Sequence, residues 1–83
     1  MTKYMFFIEM QDLCTRASQA LKVVSKNPLL SDFYKSAAQG YFRRAEALSA
    51  GEAEKKISSE LFNRKRDFTK WVESQEIKAS KRF

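Results

Sequence analysis

The sequence predicts an all-α domain of three helices, arranged as a helical hairpin or a small bundle. Three observations carry this. Glycine occurs twice and proline once in 83 residues, so few positions break a helix. Apolar residues recur at helical spacing in three separate segments. Two groups of breaking and capping residues, around Asn27-Pro28 and around Ser49-Ala50-Gly51, divide those segments.

The first helix is expected from about Thr2 to Ser25. Phe6, Met10, Leu13, Ala17, Ala20 and Val24 are spaced 4, 3, 4, 3 and 4 apart, which keeps one apolar stripe on a helix. Cys14 and Leu21 flank it. Tyr4, Met5, Phe7 and Ile8 are apolar off the stripe, so the start of this helix needs cover from elsewhere; a short strand there is the competing reading. Pro28 disfavours helix at Asn27, and Ser31 or Asp32 then caps the next helix.

The second helix is expected from about Asp32 to Leu48. Tyr34, Ala37, Tyr41, Ala45 and Leu48 form its stripe, widened by Phe33 and Ala38. Gly40 sits inside it at up to about 1 kcal/mol relative to alanine, a place where a neighbouring backbone often comes close. At the next break, Gly51 ends the second helix in the left-handed conformation, or Ser49 and Glu52 form a capping box for the third.

The third helix is expected from about Glu52 to at least Glu76. Ile57, Leu61, Phe68, Trp71 and Val72 share its apolar face. Arg64 falls inside that face, either reaching out along its stem to water or pairing with a carboxylate such as Glu46. Residues 1–78 thus form one helical domain, with 79–83 as a basic tail.

Charge and chemistry narrow the function. The net charge is +6, and residues 64–83 hold seven basic side chains against three acids. A basic end favours acidic partners. No segment reaches the roughly 20 apolar residues that span a bilayer, and the start of the chain lacks the pattern of a signal peptide. With one cysteine, a disulfide within the chain is excluded, and with no histidine a structural zinc site is not expected. The lone thiol and the missing export signal suggest the cytoplasm.

Catalysis is not expected. The usual general base is missing, the acids lie scattered beside lysines and arginines, and there is no glycine-rich phosphate loop. Cys14, on the flank of an apolar stripe, reads as a small buried hydrophobe. No cofactor and no metal are expected. Binding remains. Large aromatics and arginines supply much of the energy of protein interfaces. The residues that fall off the core stripes, Tyr4, Phe7, Ile8, Phe42 and Phe62, are the candidate contacts, with Arg64 and Arg66 giving orientation. A nucleic-acid binder or nucleoid-associated accessory factor is the alternative. It is not favoured, because Arg64, Lys65 and Arg66 point about 100° apart around a helix and Asp67, Glu73 and Glu76 interrupt the patch. A homodimer stays open.

The segment Tyr34-Lys35-Ser36-Ala37-Ala38, followed by Tyr41 and Ala45, resembles the helix pairs of tetratricopeptide proteins. Taken with Ala17 and Ala20 before it and Lys65 and Phe68 after it, the arrangement over roughly residues 6–70 resembles the ANR family, small AraC negative regulators of bacterial pathogens. The sequence departs from that pattern at Tyr41 and Leu61, where tryptophans are expected. It also departs at Asp32 and Phe33, where a glycine is expected, and at Thr69, where a cysteine is expected. The resemblance implies a virulence regulator that binds an AraC-type transcription activator, blocks its dimerisation or DNA binding, and engages a histone-like nucleoid protein.

Overall fold

Thr2 starts the first helix: its hydroxyl accepts a bond from the Met5 N–H at 3.2 Å. In a computed structural model describing residues 1–81, α1 then runs Lys3–Val24. Most of the stripe read from the sequence is buried: Phe6, Met10, Leu13, Ala17 and Ala20 lie inside, with Cys14 and Leu21 beside them, while Val24 at its end is half-buried. The apolar start is helical, not a strand; Thr2 makes only an isolated bridge to Lys56.

The second helix begins four residues earlier than expected. α2 is Pro28–Ala47. Asn27 is the cap, accepting from the Leu29 N–H at 3.0 Å. Pro28 sits at the first helical position, where its missing N–H is no loss and its fixed φ already suits a helix. Ser31 is therefore not a cap. It is buried, donates to the Ser18 carbonyl at 3.0 Å, and shares a hydroxyl–hydroxyl bond of 3.1 Å with Ser18. This exchange satisfies two polar groups at a close α1–α2 crossing.

The expected third helix is two. α3 is the single turn Ala50–Glu54, and α4 is Ser59–Ser80. The Ser49 hydroxyl accepts from the Glu52 N–H at 3.2 Å, the serine half of the expected capping box, while the Glu52 carboxylate turns to Lys3 and Lys55. Gly51 lies inside α3 and has no left-handed φ. Lys55–Ser58 stays extended because other partners take its backbone: Lys3 N–H donates to the Lys55 carbonyl at 2.7 Å, and Ile57 N–H donates to the Met1 carbonyl at 3.1 Å. Ser58 then caps α4 through the Leu61 N–H at 3.2 Å. α4 continues through Ala79 to Ser80, past the expected start of the tail; residues 82 and 83 of that tail lie outside the described residues.

α1 is the centre, packing against each of the other three helices. Ser18 meets Ser31 and Phe7 meets Tyr41, so α2 is antiparallel to α1. Met1 meets Ile57, Glu9 meets Lys65 and Arg16 meets Glu76, so α4 runs parallel to α1. The result is all-α and elongated, 45 × 22 × 17 Å. The core is thin: Phe6, Met10, Leu13 and Ala17 from α1 with Val72 from α4, flanked by partly buried Phe7, Tyr34, Tyr41, Ile57, Phe68 and Trp71. Nothing approaches Gly40 within 4 Å of where a Cβ would stand, so this glycine serves no close contact within the chain.

Candidate partner-contact surfaces

The candidate residues do not gather in one place. Tyr4 and Ile8 continue the α1 row that holds Gln11 and Thr15, at helical spacings. Those two residues line a groove of about 260 Å³ with Lys35, Ala38 and Gln39 of α2. Phe42 lies one turn beyond Gln39 on the same side of α2. Tyr4, Ile8 and Phe42 thus flank the end of the α1–α2 groove near the start of α1. Tyr4 is 45% exposed and Phe42 is 42% exposed, while Ile8 is half-buried.

Phe7 does not belong with them. It packs on the core, its ring centroid 6.1 Å from Tyr41 and 5.7 Å from Phe6. Tyr41 of α2 covers it, so on this side the cover demanded by the apolar start of α1 comes from α2. Two residues placed on core stripes come out at the surface instead: Phe33 is 63% exposed and Leu61 is 38% exposed.

Phe62, Arg64 and Arg66 stand on α4. Phe62 is 47% exposed. It lies one turn before Lys65, which pairs with Glu9 at 2.9 Å, so Phe62 sits on the α1–α4 side near the start of both helices. Arg64 pairs with Glu60 on its own helix at 2.8 Å, not with Glu46. The closer carboxylate one turn away wins because both side chains stay in water and no reach across the bundle is needed. Arg66 lies 3.7 Å from Asp67. All three cations of the 64–66 run therefore have an acidic neighbour.

Further ion pairs fix the helices to one another. Arg16 donates to both carboxylate oxygens of Glu76, at 3.0 and 2.6 Å. This fork holds the Glu76 carboxyl below the usual range and raises the guanidinium. Glu52 takes Lys55 at 2.8 Å and Lys3 at 3.2 Å, and the two ammoniums hold it below the usual range as well. At the centre, burial pushes the Cys14 thiol up to about 11. Burial also raises the Tyr34 hydroxyl, assisted by Cys14.

A third surface lies where α2 and α4 meet. Phe68 stacks on Tyr34 with centroids 5.8 Å apart and on Trp71 at 5.8 Å; Tyr34 and Trp71 are 5.4 Å apart. Phe33 stands edge-on to Tyr34 at 5.2 Å. Three of these rings are half-buried and the fourth is open to solvent. Helical spacing alone reads Tyr34, Phe68 and Trp71 as core. The signal for the surface is the adjacent pair Phe33 and Tyr34, about 100° apart around α2, too wide for one narrow face to bury both.

The fold and its surfaces define a small all-α protein with apolar and aromatic side chains open on three sides. Among the described residues no helix is long and apolar enough to cross a membrane. No protein-family model, curated protein or solved structure matches the chain.

Proposed function

We propose that this chain is a small cytoplasmic regulator of transcription that acts by protein–protein contact and not by catalysis. It antagonises an AraC-type activator by blocking its dimerisation or its binding to DNA. One observation carries the binding reading. Among the described residues, ten large hydrophobic side chains are exposed, as many as the ten hydrophobic residues that are buried. Where such side chains lie side by side, as Tyr4, Ile8 and Phe42 do at the end of the α1–α2 groove, they mark a surface for a partner to cover. The AraC-type partner comes from the resemblance over residues 6–70.

The contacts are Tyr4, Ile8 and Phe42 beside the α1–α2 groove, and Phe62 with Arg64 and Arg66 on α4. The acids beside Arg64, Lys65 and Arg66 leave this run less charge for phosphates, which weighs against nucleic acid as the main partner.

The test uses the tagged chain and a purified AraC-type activator with its DNA site. The chain is expected to bind the activator after nuclease treatment and to displace it from the DNA. Phe62→Ala with Arg66→Glu is expected to weaken that binding with helicity unchanged. Binding that disappears with the nucleic acid overturns the reading and gives the basic surface the role instead.

A further inference from the structure

α4 is poorly covered for its length. Of its 22 residues only Val72 and Gln75 are buried. The whole chain exposes 5791 Å², whereas folded monomers of its 9.7 kDa expose about 5,100 Å². The excess is close to the roughly 800 Å² that each partner buries in a standard interface.

One stripe on α4 indicates what covers it. Glu60, Arg64, Asp67, Trp71, Ser74 and Lys78 are spaced 4, 3, 4, 3 and 4 apart and so form a single row. All are exposed except half-buried Trp71, which joins the row to the Tyr34, Phe68 and Phe33 rings. The spacing of the row, though not its residues, is the same in reverse: turned end to end about its midpoint, Glu60 falls opposite Lys78, Arg64 opposite Ser74, and Asp67 opposite Trp71. Its two acids and two bases cancel, on a chain that carries +6. It is a strip along which two such cations can approach without repulsion, and its ends are complementary to a second copy of itself.

We propose that two copies of this chain pair through α4 about a two-fold axis, antiparallel, with Glu60 of each against Lys78 of the other and Trp71 and Phe33 of both enclosed between them. The proposal stands apart from the transcriptional reading, since it needs no other protein.

Sedimentation equilibrium of the purified chain tests it. The wild type is expected at twice the mass of one chain. Glu60→Lys or Lys78→Glu alone places like charges together at both ends and is expected to raise the dimer dissociation constant about tenfold. The double reversal is expected to restore pairing. Within one helix each reversal is unfavourable to the helix dipole, and the two add, so recovery in the double variant comes only from contact between copies. Phe33→Ser, at an exposed position, is expected to weaken pairing with the circular dichroism unchanged. A wild type that keeps the mass of one chain at about 0.5 mM overturns the proposal. So does a double reversal no tighter than the single ones.

Discussion

Val72 is the side chain on which the docking of α4 turns. It is 0% exposed and lies among Phe6, Met10, Leu13 and Ala17 of α1. Val72→Ala removes two buried carbons, worth about 1.6 kcal/mol at about 0.8 kcal/mol per methylene. The space left behind adds to this, because neighbours relax only in part, and brings the total to about 2–3 kcal/mol. A domain of 83 residues has about 4–12 kcal/mol in all. The loss is therefore about a sixth to three quarters of the stability, and Tm is expected to fall by about 8–24 °C. Urea titration followed by circular dichroism measures the loss. Trp71 fluorescence, followed in parallel, reports the contact of α4 with Tyr34 of α2. Ile77→Ala is the control, since Ile77 is 55% exposed, and is expected within about 0.5 kcal/mol of wild type. A Val72→Ala chain as stable as that control would mean that α4 does not bury this face on α1.

Acid and thiol chemistry give two further outcomes. Arg16 holds the Glu76 carboxyl below its unfolded value, so the folded chain binds that proton less readily than the unfolded chain. The stabilisation is complete above the unfolded carboxyl range, near pH 4.3, and is lost as pH falls through the folded value. Glu76→Gln is expected to flatten this part of the acid limb in pH-dependent melting and, with both partners more than a third exposed, to lose no more than about 1 kcal/mol at neutral pH. An unchanged acid limb would rule out the fork as its source. For Cys14, burial and a thiol pushed up to about 11 leave little accessible thiolate. A thiol reagent at about pH 8 is expected to label the folded chain far more slowly than the urea-unfolded chain, and equal rates would contradict the burial.

Much of the fold is legible because α1 is a simple helix. Phe6, Met10, Leu13, Ala17 and Ala20 lie on one stripe of the central helix, and spacing alone puts them inside. The misreadings come where something outside the local pattern decides. Pro28 looks like a break but is the first residue of α2, since the Asn27 side chain supplies the cap. Lys55–Ser58 looks like helix interior, but Met1 and Lys3 take its backbone bonds, and no periodicity within 52–76 records a partner more than 50 residues away. At the candidate surfaces, Tyr4, Phe42 and Phe62 are open as their positions off the stripes suggest. Phe7 is not, because the apolar start of α1 is covered by α2 on that side. The aromatic cluster escapes the sequence because a helix that buries one stripe against α1 shows a second stripe to α4, and spacing does not tell a buried ring from a half-buried one.

The parallel alignment of α1 and α4 bears on the order in which the molecule assembles. The α1–α2 hairpin closes locally, Ser18 reaching Ser31 across 13 residues. The Arg16–Glu76 contact closes across 60 residues and the Lys3–Glu52 contact across 49. Ends that far apart meet at a greater loss of chain entropy. The hairpin is thus the natural nucleus, and α4 adds to a surface already formed. Changes in α4 should then fall on the rate of unfolding, and changes in the hairpin on the rate of folding. The lifetime of the native chain is set by how long its last helix stays down.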